Sequence, residues 1–360
     1  MPIPAPPSMK APYHWPSVAL TCAIGMVGAF LARALHLPLP MLLGSLIAVA
    51  GISLTRWKPL GHAMQVPLKW RGFVIPVIGV AIGANFTPEI VDAVAQWWPS
   101  LLVLALFIPI IHLLGYASVM ATGRTDKVTA FFGTAPGGLI ESVQMGEERG
   151  GDPVILTMMQ FLRLIITVVS VPIFFTVMTG HAVGSGGGVT LDTVPLRWQD
   201  WPILIVVGVL GWILGRRLNL PAGMITGPIV LSGIAHLLGL VQGAPPAYLV
   251  SATQLVIGIS LGTRFNGMPL SRIGLALRLS GVSTALSIGT ATACAYVLGP
   301  LIDEPRAAVF LAFAPGGLIE MSLIALSLQM SILYVTVHHA MRIVWTVTVA
   351  RLIGDRLNLK

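Results

Sequence analysis

Apolar runs about as long as a bilayer-crossing helix recur from one end of the chain to the other, with polar residues confined to the short intervals between them. The first runs from Ser17 to Leu35. Runs that are apolar all round, rather than striped, predict helices surrounded by lipid or by one another. The pattern is interrupted in a distinctive way at two places. APGGLIE breaks an apolar run at 135–141 and recurs letter for letter at 314–320. Pro lacks an N–H and Gly-Gly favours non-helical backbone, so both stretches predict a broken or re-entrant helix.

Self-comparison extends this pair into a duplication of the whole chain. GAFLARALHLPLPMLLG from Gly28 matches GWILGRRLNLPAGMITG from Gly211, aligning Pro38 with Pro221, Met41 with Met224 and Gly44 with Gly227. GVAIGANF from Gly79 matches GISLGTRF from Gly258, and QFLRL at 160–164 matches HAMRI at 339–343, so that Arg163 falls on Arg342. Landmarks kept in one order imply a duplicated architecture. The expected organisation is a first repeat over 1–180, a Gly- and Ser-containing linker over 181–200, and a second repeat over 201–360.

Loop charge then separates the two halves. The stretch after the second apolar run carries Arg56, Lys58, Lys69 and Arg71, whereas its counterpart from Val241 carries no charge. The next loop has Glu89 and Asp92 in the first half against Arg264, Arg272 and Arg278 in the second; the loop before APGGLIE has Arg124 and Lys127 against Asp303 and Glu304 beside Arg306. The positive-inside rule therefore predicts that equivalent loops lie on opposite sides. Each half has six apolar segments, and opposite orientation needs an odd number of crossings, so one segment per half must not cross. The expected fold is an all-α integral membrane protein: two inverted repeats of about five transmembrane helices each, plus a broken or re-entrant APGG element. Both termini would then face the cytoplasm.

Composition agrees and removes alternatives. Of 360 residues, 55% are hydrophobic and 9% charged, with a mean hydropathy of +0.87, which leaves no room for a separate soluble domain. The N-terminal MPIPAPPSMKAPYHWP and the long apolar run after it predict a retained first span rather than a cleaved signal. The net charge of +8 is scattered over short loops, so no direct nucleic-acid contact is expected. Cys22 and Cys294 lie inside apolar segments and predict no disulfide.

The candidate chemistry lies at the repeated break. Helices restarting after Pro136, Gly137 and Gly138, and after Pro315, Gly316 and Gly317, would expose backbone N–H groups suited to an anion; the alternative is a kink that only aids packing. Glu141 and Glu320 are costly at membrane depth unless paired, protonated or facing water. With Arg163 and Arg342 in the next segment they could form structural ion pairs. They could instead serve as a proton or cation site beside an anion anchor. His339 aligns with Gln160, which favours a polar lining for both over metal ligation, and consecutive His338 and His339 point about 100° apart on a helix. No metal or cofactor motif is present. The GxxxG pairs Gly79/Gly83 and Gly258/Gly262 favour close helix packing.

The repeated APGGLIE, the LPxxM-type stretches at Leu37 and Leu220, and the arginine pair resemble the duplicated membrane AbrB family of bacteria, which is distinct from soluble DNA-binding regulators of similar name. The resemblance covers about Ser17 to Leu357. It implies an inner-membrane protein of a family labelled variously as regulators of gene expression or ammonia monooxygenases, and distantly similar to inverted-repeat transporters. The residues offer no clustered ligands for a copper or iron oxygenase and no soluble recognition element. An enzyme is therefore not expected. The expected function is secondary transport of a small anionic or zwitterionic solute, with a membrane regulator acting indirectly as the alternative and a monooxygenase third. The lipid bilayer and a small solute are the expected partners, and a homo-oligomer stays open.

Overall fold

A computed structural model describes residues 13–55, 57–67, 69–87, 95–179, 196–220, 222–302, 304–328 and 330–356. The Gly-rich part of the expected linker, and Arg56, Glu89, Asp92, Pro221 and Asp303, lie outside the described residues. Among the described residues there are fourteen α-helices and no strands, as the apolar pattern predicts. The first seven are α1 (Trp15–Ala34), α2 (Pro40–Leu54), α3 (Lys69–Gly83), α4 (Trp98–Met120), α5 (Lys127–Gly133), α6 (Leu139–Glu148) and α7 (Pro153–Thr179). The second seven are α8 (Asp200–Arg217), α9 (Gly223–Leu237), α10 (Ala247–Gly262), α11 (Leu270–Leu298), α12 (Arg306–Phe313), α13 (Leu318–Ser327) and α14 (Ile332–Arg356).

Five helices, α1, α4, α7, α11 and α14, contain stretches long and apolar enough to cross a membrane. The expected count of ten is not met by this criterion, for a simple reason. Helices α2, α3, α9 and α10 have 15 or 16 residues, and α8 has 18 but includes Asp200, Arg216 and Arg217. At about 1.5 Å per residue, 15 residues rise roughly 22 Å, short of the roughly 30 Å hydrocarbon core. Large apolar side chains remain exposed along the outside, among them Val27, Phe30, Leu106, Ile110, Val177 and Val206.

The duplication is visible in the backbone. Between α1 and α2, His36 and Leu39 adopt positive φ (52° and 45°); between α8 and α9, Asn219 and Ala222, at the matching places, do the same (49° and 49°). Glycines then allow each pair of helices to touch through the backbone. A Cβ on Gly44 would meet the Ala29 Cα at 2.8 Å, and one on Gly211 would meet the Pro228 backbone nitrogen at 2.5 Å. The halves interlock reciprocally. Helix α3 lays Gly79 and Gly83 against the carbonyl oxygens of Ile225 and Ile229 in α9, where Cβ atoms would sit 2.7 and 2.6 Å away. Helix α10 lays Gly258 and Gly262 against those of Leu42 and Leu46 in α2. The GxxxG pairs are thus packing surfaces between repeats. Likewise α7 packs on α11, and α14 on α4.

Two ends of the molecule can be followed through specific contacts. At one, Arg272 at the start of α11 pairs with Asp152 before α7, Asn266 donates to the Met64 carbonyl at 2.5 Å, and His14 stacks on His62 with ring centroids 4.1 Å apart. The tail of α14 returns to this Asp152 end, where Gly354 lies against Arg149. At the other, Trp97 before α4 donates to Glu304 at 3.0 Å, just beyond the C-terminus of α11, and Ser331 before α14 donates to the same carboxylate at 2.5 Å. Helix α4 therefore starts where its counterpart α11 ends.

These contacts predict unequal tolerance of added side chains. Gly227→Leu, facing the Gly211 backbone, should destabilise the protein by about 1–3 kcal/mol or more through overpacking, whereas Gly281→Leu, with nothing within 4 Å, should be nearly neutral. Thermal unfolding midpoints in detergent would check this; equal effects would reject the close approach.

Candidate functional site

Each APGGLIE stretch separates two short helices. In the first half α5 ends at Gly133 and α6 begins at Leu139; in the second α12 ends at Phe313 and α13 begins at Leu318. Helices of 7, 10, 8 and 10 residues are too short to cross a bilayer. Each pair is a hairpin whose ends are tied together. The Asp152 N–H donates to Thr129 at 2.8 Å, joining the foot of α5 to the start of α7, and Asp126 caps α5 by accepting from the Thr129 N–H at 2.8 Å. The Ser331–Glu304 bond does the same for α12 and α14.

Breaking a helix in a buried place leaves its last carbonyl oxygens without partners, and the residues singled out from the sequence supply them. Gln160 donates to the Phe132 and Ala135 carbonyls at 2.8 and 3.2 Å, and Arg163 donates to Ala135. In the second half His339 bonds the Leu311 carbonyl at 2.8 Å, and Arg342 donates to Ala314 and Gly316. These are matching positions of the two repeats. Arg342 also bonds the other His339 nitrogen at 2.7 Å; since a guanidinium only donates, His339 is the neutral tautomer with its proton on Nε2.

The arginines are therefore caps of broken helices. Among the described residues neither forms an ion pair with Glu141 or Glu320; Arg272 pairs with Asp152 elsewhere. The Glu–Arg pair reading of the sequence fails here because backbone carbonyls claim the guanidiniums first. His338 is held separately, by Ser100 and the Tyr334 carbonyl, each at 2.8 Å. Among the described residues no three His, Cys, Asp or Glu side chains gather as a metal site.

The two breaks meet across α14. Gly137 packs so closely on it that a Cβ would lie 3.0 Å from the Thr346 hydroxyl and 3.5 Å from the Arg342 carbonyl oxygen, while the Arg342 guanidinium reaches the second break. Identical sequences nevertheless take different conformations. Gly138, before α6, is left-handed (φ 59°, ψ 59°), whereas Gly317, before α13, is extended (φ −78°, ψ 149°). Glu141 is exposed; Glu320 is 4% exposed, its carboxylate turned back onto its own N–H and filling the space a Gly317 side chain would need. Helix α6 continues with exposed Gln144, Glu147 and Glu148, while α13 is apolar and buried.

Some residues of this centre were not anticipated. Thr346 and its counterpart Thr167 each follow an arginine by one turn; Thr167 bonds the Arg163 carbonyl at 2.9 Å, whereas the fully buried Thr346 hydroxyl has no partner among the described residues and faces Gly137. The repeated Arg-x-x-x-Thr spacing was a usable signal. His112 bonds the Phe131 carbonyl at 2.8 Å from α4 and has no counterpart histidine, so nothing in the duplication marked it.

The AbrB family profile, described as transition state regulatory protein AbrB, matches residues 58–357, spanning both hairpins and every residue of this centre. The chain belongs to the AbrB family. Two relatives align over most of their length. One is the "Uncharacterized protein YhjN" of Bacillus subtilis strain 168, 21% identical over 338 residues, covering 89% of this chain and 88% of the relative. The other is the "Putative regulator AbrB" of Escherichia coli K12, 23% identical over 307 residues, covering 85% and 86%.

In this AbrB-family chain, Arg342→Met would leave the Gly316 carbonyl and the His339 Nδ1 without their donor, while the Ala314 carbonyl keeps the Gly316 N–H. A loss of about 1–3 kcal/mol per unsatisfied group is expected, larger than for Arg163→Met, where the Ala135 carbonyl keeps its bond from Gln160. Exchanging charges in Glu320→Arg/Arg342→Glu should not restore stability. Recovery of the unfolding midpoint in that double variant would contradict the capping role.

Proposed function

We propose that this protein is a secondary transporter of a small solute, built from two inverted repeats whose broken hairpins re-enter the membrane from opposite faces and meet near its midplane. It catalyses no covalent reaction in this reading. The observation that carries it is the heptapeptide held in two conformations, with one carboxylate open and its equivalent sealed. Alternating access requires an element with two discrete arrangements, and inverted repeats provide one by exchanging the conformations of the halves. Opposite entry is supported by the antiparallel course of α4 and α11 and by the placement of the hairpin feet, one at the Asp152 end and one at the Glu304 end.

Five crossings per half follow if the short helices α2, α3, α8, α9 and α10 also traverse the bilayer. Exposed Trp15 and Trp57 belong to the Asp152 end, and exposed Trp98 belongs to the Glu304 end, as interfacial anchors on two faces would. The Asp152 end also carries Lys58, Lys69, Arg124, Lys127 and Arg149, which favours placing it, with both termini, in the cytoplasm. A second reading, a membrane regulator acting through a partner at this end, is favoured by the name of the Escherichia coli relative.

The two readings separate without knowledge of the solute. In a cysteine-free background, the Glu141→Cys variant should react quickly with an impermeant thiol reagent and the Glu320→Cys variant slowly. Adding Gly138→Ala disfavours the left-handed break by about 1–2 kcal/mol. It should raise the thiol reactivity of the Glu320→Cys variant severalfold while lowering that of the Glu141→Cys variant. Fixed reactivities in folded protein would reject alternation and favour the regulator. Reconstituted into liposomes, the wild type should show pH-dependent solute flux, and Glu320→Gln should lose that dependence.

A further inference from the structure

Away from the hairpins, an apolar cleft of about 400 Å³ lies between α3, α8 and the start of α10. Trp201, Gly208 and Trp212 line it from one face of α8, Phe73 and Val80 from α3, and Leu249 from α10. Phe73 is 69% exposed, so the cleft opens on the outside of the helical body. From Trp201 to Trp212 the helix rises about 16 Å, roughly half of a 30 Å hydrocarbon core and the depth that one lipid chain reaches from one face.

The two ends of the cleft differ in charge. A Cβ on Gly72 would meet the Met224 side chain at 3.4 Å, and Gly215 packs on Gly223, so the start of α3 and the end of α8 lie together beside the start of α9. At this end Arg216 sets its guanidinium 5.4 Å over the Trp212 ring, and exposed Lys69 stands one turn before Phe73. At the Trp201 end the charges are opposite in sign: Asp200 accepts from the Arg197 N–H at 3.1 Å.

The equivalent place in the other half is filled. Aligned on Gly211 and Gly28, the residues Trp201, Gly208 and Trp212 fall on Val18, Gly25 and Ala29; aligned on Gly258 and Gly79, Val80 falls on Ile259 and Leu249 on Trp70. A Cβ on Gly25 would come within 2.7 Å of the Ile259 Cδ1, and Ile259 packs with Val66 and Trp70, whereas a Cβ on Gly208 would meet the Val80 Cγ2 at 3.4 Å. The smaller Val80 and Leu249 leave the room, and the two tryptophans wall it. The Trp212 Nε1 is buried with no partner among the described residues, an indole N–H that lacks its acceptor.

We propose that this cleft binds one anionic phospholipid, its chain lying along α8 from Trp212 toward Trp201 and its phosphate on Arg216, with Lys69 adding charge at the same end. The volume and the apolar, aromatic walls suit a ligand of this kind. Basic residues at one end of an apolar path attract an acidic headgroup, and the lipid's oxygen atoms supply acceptors of the type that Trp212 lacks. A neutral lipid would fill the cleft but leave Arg216 without a counter-charge. A second copy related by a two-fold axis along the membrane normal would set the basic ends of the two chains side by side at one level. The site stands apart from the transporter reading and is measured without a solute.

The test uses the full chain purified in detergent, with phosphatidylglycerol or phosphatidylcholine of the same chain length added, reading bound lipid by native mass spectrometry and the unfolding midpoint by heating. One phosphatidylglycerol should stay bound and should raise the midpoint more than phosphatidylcholine at equal concentration. Arg216→Gln and Lys69→Gln should each weaken its retention by about fivefold, and Gly208→Leu, which fills the cleft, should abolish it. Arg33→Gln, at the end of α1 beside the filled counterpart, should leave it unchanged. If Gly208→Leu lowers the midpoint without lipid, the two charge variants decide. Equal retention of both lipids, or a preference for phosphatidylglycerol that survives Arg216→Gln combined with Lys69→Gln, overturns the site. A lipid-free dimer that dissociates in Gly208→Leu also overturns it, and gives the cleft to a second copy.

Discussion

A buried guanidinium donating to the carbonyl oxygens at the end of a short helix is the constraint on which the centre of this molecule depends. A helix broken inside an apolar body leaves carbonyls that water cannot reach, and each such group costs about 1–3 kcal/mol if unpaired. Arg163 and Arg342, projecting from α7 and α14, satisfy them with charge. The helix C-terminus, equivalent to roughly half a negative charge, offsets part of each guanidinium's cost of burial in return. The break and the arginine thus require one another. Gln160 and His339, one turn away, complete the same task in each half.

Around this centre the two halves are joined both by backbone contact and by large side chains, among them the Trp97–Tyr334 and Phe107–Phe313 pairs, with ring centroids 5.3 and 5.2 Å apart. The glycine pairs of α3 and α10 press against α9 and α2 of the opposite half, so neither repeat buries its helices alone. The second hairpin is packed into the main core, with Phe313, Met321 and Ile324 buried, while the first is tied at its foot by the Asp152–Thr129 bond and touches α14 through Gly137. Equivalent carboxylates differ between the halves, Glu141 exposed and Glu320 buried.

Much of this was legible in the sequence because duplication prints the same constraint twice. The break at APGGLIE, the glycine pairs and the arginines were marked by repetition, and each occupies equivalent places in the two halves. What repetition could not reveal was partnership. An arginine and a glutamate at fixed spacing suggest an ion pair, but the acceptors of Arg163 and Arg342 are main-chain oxygens, which every sequence supplies. Nor could identical heptapeptides announce that Gly138 and Gly317 differ in φ, since that difference arises from surroundings such as Val347 beside Gly138. The cleft beside α8 was hidden for the opposite reason: Trp201 and Trp212 have no matching tryptophans, so duplication did not mark them.

The account rests on the opposite orientation of the two repeats, because parallel repeats could not bring two like hairpins together from opposite faces. Single cysteines placed at exposed His62 and at Tyr248, at the start of α10, in a variant lacking Cys22 and Cys294, can be probed in intact cells with an impermeant thiol reagent. The account predicts labelling at 248 and protection at 62 until the membrane is permeabilised. Labelling of both positions, or of neither, from outside would contradict it.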